Sequence, residues 1–211
     1  MKLIIVGNGG HSQVVQDLIL ELNDHTIIAV LDDQILEGYK LNNILYESTL
    51  KLPVLYQDEV QVVIAVGDNS TRKKLAEKFN LPPEAYATLV HPSAFVSKQA
   101  VLGHGTVVMA NAVINAGSLA GNHVIINSGA IVEHECKLEH YVHLSPNATL
   151  TGNVSLKEGV HIGAGATLIP KVTVGEWSVA GAGAVVTKSI PSFQTAVGCP
   201  ARLTRKIERI S

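Results

Sequence analysis

The chain has 211 residues, 46% of them hydrophobic, which supplies enough apolar material for one large domain or two small ones. Its formal net charge is −2, so it lacks the basic excess that attracts nucleic acid or an anionic membrane surface. Composition and charge therefore argue against both of those partners. They favour small molecules and other copies of the chain.

The first apolar run, residues 3–6, is broken at once by glycines. It is far shorter than the hydrophobic core of a signal peptide or a membrane-spanning helix. The two cysteines, Cys136 and Cys199, form neither a disulfide framework nor a metal-ligand spacing. We therefore expect a cytoplasmic protein without membrane insertion.

The front part of the chain repeats a pattern of strand, polar or glycine turn, and helix. Residues 3–6 lead into a glycine-rich turn and a helical pattern, residues 27–31 end in two aspartates, and residues 62–66 end in Gly67 before another helix. The pattern predicts a small Rossmann-like parallel sheet within residues 1–88.

Ligands bind at the carboxyl ends of such strands, where Gly10, Asp32 and Gly67 are expected to converge. Glycines let the backbone approach a diphosphate, and the next helix offers free N–H groups to its charge. Ser12 replaces the third glycine of the dinucleotide fingerprint, so a simple tight turn is an alternative. The short segment leaves no room for a second half-sheet, which favours a nucleotide sugar over a nicotinamide cofactor.

A period of six begins at Val90 and runs without interruption to Val186. Every sixth residue is Val, Ile, Leu or Ala, and a small or β-branched residue follows four positions later. A helix would smear this period around its surface, whereas three short strands per coil turn both stripes inward. We predict a parallel β-helix over residues 89–190, with residues eighteen apart stacked, and a cap over residues 191–211 that ends in a closing helix.

Within the repeats, Glu133, His134 and Glu135 place an imidazole between two carboxylates, an arrangement that orients a general base. One coil further lies Gly152, whose backbone N–H would stabilise an oxyanion beside that base. Cys136 occupies an inward position and is a poor nucleophile candidate. The sequence therefore predicts acyl-transfer chemistry at this corner.

The eighteen-residue length of one coil also places His143 directly beside His161 on the next coil. The pair fits a surface ladder, the wall of a coenzyme tunnel, or two metal ligands. Zinc needs a converging third ligand, and no local pattern provides one, so no metal site is predicted.

Five segments together resemble the PglD/NeuD group of hexapeptide-repeat sugar acetyltransferases. They are residues 7–11, residues 31–33, residues 64–67 with Asn69, residues 132–136 and residues 197–202. The resemblance implies a left-handed β-helix, acetyl-CoA bound between adjacent β-helices, a homotrimer, and a nucleotide-linked amino sugar or a sialic acid as acceptor.

The resemblance also implies roles for individual residues. His134 would be the general base and Glu135 its partner, with Glu133 as a substitute, and the Gly152 backbone would meet the acyl carbonyl. His143 would contact coenzyme A, and Ala164 and Ala182 would line its groove. The UDP-sugar would be held by Gly9, Gly10, His11, Asp32, Asp33 and Gly67.

Our leading hypothesis is acetyl transfer from acetyl-CoA to the 4-amino group of a UDP-linked amino-deoxy sugar, in bacterial glycan or exopolysaccharide synthesis. A hydroxyl acceptor, as in sialic acid O-acetylation, keeps the fold and changes the product. A zinc protein resembling γ-carbonic anhydrase and a non-catalytic trimeric scaffold are further alternatives. The six-residue repeats are not interrupted by an inserted loop that could form an acceptor site. The front domain and a neighbouring chain are therefore expected to complete that site.

Overall fold

The computed structural model describes residues 1–207. The front domain contains five strands and three helices, with short 3-10 turns at Thr49–Lys51 and Pro83–Ala85. In chain order they are β1 (Lys2–Val6), α1 (Gly10–Glu21), β2 (Thr26–Leu31), β3 (Tyr39–Leu41), β4 (Ile44–Glu47), α2 (Leu52–Leu55), β5 (Val60–Ile64) and α3 (Asn69–Phe79). Among the described residues, no helix has the length and apolar composition needed to cross a membrane.

The front sheet has the strand order β3-β4-β2-β1-β5. The three predicted strands, β2, β1 and β5, are neighbours in this order and pair in parallel, so the Rossmann-like sheet is confirmed. The β3–β4 hairpin at the edge was not predicted. Its strands are exposed or half-buried and show no inward stripe, and its two-residue loop consists of Asn42 and Asn43, both with positive φ.

Seventeen strands of two residues follow and form a three-sided prism. They are β6 (Leu89–Val90), β7 (Phe95–Val96), β8 (Val101–Leu102), β9 (Val107–Val108), β10 (Val113–Ile114), β11 (Leu119–Ala120), β12 (Ile125–Ile126), β13 (Ile131–Val132), β14 (Lys137–Leu138), β15 (His143–Leu144), β16 (Thr149–Leu150), β17 (Ser155–Leu156), β18 (His161–Ile162), β19 (Thr167–Leu168), β20 (Thr173–Val174), β21 (Val179–Ala180) and β22 (Val185–Val186). Each predicted period-six residue from Val90 to Val186 is the second residue of one strand.

The register confirms the eighteen-residue coil. Val113 pairs in parallel with Ile131, and Ile131 pairs with Thr149. The inward stripes form one continuous buried core along the prism axis. The fold class is therefore the predicted one, a small Rossmann-like sheet followed by a left-handed parallel β-helix.

Three polar members of the inward stripe, Thr106, Ser118 and Ser178, are almost fully buried. Each hydroxyl donates to a backbone carbonyl, as Ser118 Oγ does to Glu133 O at 2.7 Å. Each also accepts a backbone N–H from the next coil. These paired bonds explain why hydroxyls are tolerated in the core.

The C-terminal segment differs from its prediction. Instead of a closing helix, β23 (Gln194–Val197) continues one face of the prism, and β24 (Arg202–Lys206) pairs antiparallel with it. The exposed edge of the last coil offers unpaired backbone groups, and this hairpin satisfies them. The helix prediction is wrong for these residues, and residues 208–211 lie outside the described part of the chain.

The front domain rests on the first coils of the β-helix. Leu89, Val107 and Met109 belong to the same buried cluster as Leu3 and Val15 of the front sheet and α1. We call the face that carries β6, β9, β12, β15, β18, β21, β23 and β24 the front-facing sheet.

Candidate active site

A cavity of about 470 Å³ opens at the carboxyl ends of β1, β2 and β5. Its lining includes every residue predicted to hold a nucleotide sugar: Gly9, Gly10, His11, Asp32, Asp33 and Gly67. The structure brings these residues together from three segments of the chain. The convergence expected of a parallel sheet is therefore confirmed.

The glycine turn gives the cavity a backbone wall. Gly7 has φ +109°, and a Cβ there would lie 2.9 Å from Ala65 O, so a larger residue does not fit. Gly9 and Gly10 have no atoms within 4 Å of a built Cβ, so they leave space for a ligand. Gly9 caps α1, and the first turn of this helix carries no acidic side chain. The free backbone N–H groups of that turn therefore suit an anion.

The two aspartates at the end of β2 already have partners. Asp32 accepts the backbone N–H of Asn8 at 2.8 Å and that of Gln34 at 2.9 Å. It therefore ties the glycine turn to the loop after β2. This geometry gives Asp32 an organising role in addition to any contact with a ligand.

Asp33 contacts Thr49, which follows β4, and Lys78 of α3. It accepts hydrogen bonds from the Thr49 hydroxyl and backbone N–H, and Lys78 Nζ lies 3.1 Å from its carboxylate. The Thr49 hydrogen bond and the Lys78 charge hold the pKa of Asp33 below its usual range. Asp33 thus stays ionised and braces β2 against α3.

His11 is the one titratable ring in the glycine turn. Its Nε2 is buried and has no hydrogen-bond partner among the described residues. Burial, aided by the Arg72 charge, lowers the pKa of His11 to about 4. A neutral ring at the cavity wall can give or accept one hydrogen bond with a bound molecule.

The predicted base lies on a turn of the β-helix, which we call the His134 corner (residues 133–135 and 151–153). His134 Nδ1 lies 3.2 Å from Glu135 Oε2, and Asn153 Nδ2 donates to the same oxygen at 2.9 Å. The Asn153 and His134 hydrogen bonds lower the pKa of Glu135. With Nδ1–H bonded to this carboxylate, His134 Nε2 is free to accept a proton.

Gly152 lies directly against the His134 ring, as the coil arithmetic predicts. A Cβ on Gly152 would stand 2.5 Å from both Cε1 and Nε2 of His134. The backbone at this position therefore lies beside the nitrogen that would take the proton. Cys136 is fully buried beside the corner, and burial raises the pKa of its thiol to about 11. That agrees with the prediction that it is not a nucleophile.

His143 lies on the front-facing sheet and contacts the front domain. Its Nδ1 donates to Gly67 O at 3.0 Å, and its ring stacks on His161 at 4.9 Å. Burial, with the His161 ring beside it, lowers the pKa of His143 to about 3. A second cavity of about 420 Å³ is lined by both histidines and by Gly67.

Ala164 and Ala182 lie on a different edge of the prism from the His134 corner, one coil apart. Gly183 N donates to Ala164 O at 2.8 Å, and the neighbouring Gly165 and Gly183 have open space above them. Both alanines are exposed. They form a flat, accessible strip, and their contact with coenzyme A stays a prediction.

Two features of the site were not predicted. Asn153, the second partner of Glu135, lies one coil of eighteen residues after it. The repeat could therefore have predicted this contact. Arg72 and Asn69, which join the front domain to the β-helix, gave no such signal because their partners are more than fifty residues away. Within residues 1–207, no group of three or more His, Cys, Asp or Glu side chains is arranged to hold a metal ion.

Residues 2–79 match the family model of the PglD N-terminal domain. Over its whole length the chain is similar to a mutant of perosamine N-acetyltransferase from Caulobacter crescentus, solved in complex with CoA and GDP-perosamine. The two are 34% identical with a TM-score of 0.89, and the match covers 98% of each chain. The chain belongs to the PglD-like family of sugar acetyltransferases.

Two further relatives support this membership. The acetyltransferase domain of PglB from Neisseria gonorrhoeae, in complex with acetyl coenzyme A, is 36% identical with a TM-score of 0.87, covering 96% of this chain and 98% of that one. UDP-N-acetylbacillosamine N-acetyltransferase from Bacillus subtilis (strain 168) is 47% identical over 110 residues. That alignment spans 50% of this chain and 50% of the relative.

Proposed function

We propose that this protein transfers an acetyl group from acetyl-CoA to the 4-amino group of a UDP-linked amino-deoxy sugar. The observation that carries the proposal is the His134 corner, where a carboxylate-bound imidazole lies against the Gly152 backbone, in a chain that also has a nucleotide-sized cavity. Relatives solved with CoA or acetyl-CoA, one of them also with GDP-perosamine, support acetyl-CoA as the donor and a nucleotide-linked amino sugar as the acceptor. The UDP-N-acetylbacillosamine N-acetyltransferase of Bacillus subtilis supports the choice of UDP.

The chemistry follows from the corner. The sugar amine attacks the thioester carbonyl, a C–N bond forms, and the C–S bond breaks. His134 Nε2 takes the proton that the amine loses, and the imidazolium is stabilised by Glu135. The Gly152 N–H donates to the oxygen that becomes an oxyanion. Coenzyme A leaves as a thiolate, which the imidazolium proton can neutralise.

The cavity at the carboxyl ends of β1, β2 and β5, which we call the nucleotide cavity, would orient the acceptor. The α1 N-terminus and the open space at Gly9 and Gly10 suit the diphosphate, and the His11 side chain lies in the wall of the same cavity. Asp32 and Asp33 line the same cavity, where they would face the nucleoside.

A neighbouring chain would complete the site. His134 lines neither cavity described above, and one face of the prism separates its corner from the Ala164 and Ala182 strip. A single coenzyme could meet both edges if it lay between two β-helices. Phe95, an exposed aromatic residue on the prism, is the kind of surface that association covers. We propose a homotrimer, which is the assembly that the resemblance to the PglD/NeuD group implies. We also propose that the protein is cytoplasmic and acts in glycan or exopolysaccharide synthesis.

The direct test is thiol release from acetyl-CoA by the purified protein with a UDP-4-amino-4,6-dideoxy sugar. The matched control is the same nucleotide sugar with a 4-hydroxyl group. We expect release with the amine and none with the hydroxyl. Release only with the hydroxyl would make the protein an O-acetyltransferase, and release with neither would refute the proposal. A GDP-linked amino sugar in parallel tests the choice of nucleotide.

A further inference from the structure

Arg72 on α3 is buried between the two domains, with 1% of its surface exposed. Its guanidinium uses all five N–H donors. Within the front domain, Nη1 donates to Val66 O at 2.9 Å and to Gly67 O at 3.2 Å, and Nη2 donates to Asn69 Oδ1 at 2.8 Å. The remaining two donors reach the β-helix.

On the β-helix side, Nε donates to His123 O at 2.9 Å and Nη2 to Tyr141 O at 2.8 Å. Asn69 continues the series, because its Nδ2 donates to Gly159 O at 3.0 Å. His123, Tyr141 and Gly159 occupy the same corner in three successive coils. We call Arg72 and Asn69 together the coil clamp.

The coil clamp holds the coils that carry the proposed chemistry. Tyr141 follows His134 within one coil, and Gly159 follows Gly152 within the next. At its other end the clamp holds Gly67 O, which also accepts the Nδ1–H of His143. Gly67 lines the nucleotide cavity. The coil clamp therefore connects the wall of that cavity to both coils, with Arg72 reaching the coil that carries the base and Asn69 the coil that carries the oxyanion donor.

The presence of an arginine at position 72 is better explained by the geometry it fixes than by the stability it adds. Burying a guanidinium without a carboxylate against it costs free energy that an apolar joint would avoid. Burial lowers the pKa of Arg72 to about 10, so it stays charged at neutral pH. The planar guanidinium with its five donors fixes the distance and the angle between the front domain and the β-helix more sharply than apolar packing would.

We propose that Arg72, supported by Asn69, is a positioning residue that sets the height of the nucleotide cavity along the β-helix. In a cyclic trimer that height is the same for every chain. It therefore sets the distance between the bound amino group and His134, whether the histidine belongs to the same chain or to a neighbouring one. This inference rests on the proposed acetyl transfer.

Lys73 provides a matched control. It is the next residue on α3 and bridges the same two domains, with Nζ 2.7 Å from Glu158 Oε1 and 5.4 Å from the Trp177 ring. The bonds it makes do not involve Gly67. Lys73→Gln therefore weakens the domain interface without changing the cavity wall.

The experiment compares Arg72→Lys, Asn69→Ala and Lys73→Gln in the full chain. For each variant we would measure kcat and acceptor KM by thiol release, the Kd of UDP by calorimetry, and Tm. Positioning predicts that Arg72→Lys lowers kcat by about 10- to 100-fold, with a smaller fall for Asn69→Ala, since a misplacement of about 1 Å has effects of that size. The Kd of UDP should change less than about 3-fold, and Lys73→Gln should lower Tm with kcat unchanged.

A purely structural role predicts a lower Tm for every variant and a wild-type kcat wherever the protein is folded. That result would overturn the inference and leave the proposed function intact. If Arg72→Lys does not fold, the kcat of Asn69→Ala decides between the two roles. A wild-type protein that releases no thiol would instead refute the proposed function, and the positioning role would be refuted with it.

Discussion

The nucleotide cavity is formed within one chain, whereas the His134 corner lies open on the surface of its β-helix. In the cavity, Asp32 and Asp33 already have their hydrogen-bond partners. At the corner, His134 and Glu135 have 58% and 63% of their side-chain surface exposed. An acyl-transfer site needs walls that exclude water, and one chain does not supply them around His134.

This difference in exposure assigns substrate binding to the cavity and acetyl transfer to the His134 corner. Nucleotide binding should be a property of the single chain, and acetyl transfer should depend on the assembly. Changes at the corner are expected to alter kcat, and changes in the cavity are expected to alter nucleotide affinity.

The largest effect is expected for His134→Ala, which breaks the corner alone. Loss of a general base should lower kcat by about 1,000-fold, within the range that such groups contribute. The Kd of UDP should not change, since His134 lies outside the cavity. Thiol release and calorimetry measure the two quantities. The exposed His104→Ala is the control, and an equal loss of activity there would contradict the assignment.

Gly152→Ala sharpens the same comparison. The new methyl group would lie 2.5 Å from the His134 ring, so the ring must move away from the backbone N–H. We expect kcat to fall by about 100-fold, because orientation within the site is lost. In a His134→Ala background the same change should cost little more, since the two groups act as a unit. Independent, additive losses would argue against their cooperation.

Asp32→Ala tests the other region. It removes the acceptor for the Asn8 and Gln34 N–H groups, so the glycine turn loses its tie to β2. The Kd of UDP should rise by about 10-fold, a loss of about 1.4 kcal/mol, while kcat at saturating acceptor stays near wild type. Calorimetry and steady-state kinetics check this. A reduced kcat with unchanged UDP affinity would reverse the roles assigned to the two regions.

The smallest effect expected of a single side chain concerns the pH dependence of stability. Burial lowers the pKa of His11 and His123 to about 4 and that of His143 to about 3, against 6.5 in an unfolded chain. Below about pH 6.5 the unfolded state therefore binds more protons. Stability is complete above that pH and falls as the pH drops toward 4, by about 1 kcal/mol per pH unit for each histidine.

Denaturant unfolding between pH 7 and 5 measures this slope. His123→Phe keeps an aromatic ring against Tyr141 and removes one titrating group, so its slope should be shallower than that of the wild type. Parallel slopes for His123→Phe and the wild type would contradict the linkage.

The two regions also differ in how much the sequence predicts. In the β-helix one period places every strand, and the same arithmetic stacks Gly152 on His134, because each coil sees only its neighbours. In the front domain, strand ends predict which residues line the cavity. The bonds of Arg72 depend on how the front domain rests on the coils, and the β3–β4 hairpin depends on an exposed edge. Neither leaves a periodic signal.

The most direct test of the account mixes two inactive variants. His134→Ala keeps the cavity, and Gly10→Glu places a carboxylate where the diphosphate should bind while suiting the start of α1. After co-refolding, a site shared between neighbouring chains predicts recovery of about one quarter of the wild-type thiol release, from random assembly of a ring. No recovery from well-formed mixed assemblies would show that each chain uses its own base, and the division of binding and chemistry between neighbours would be wrong.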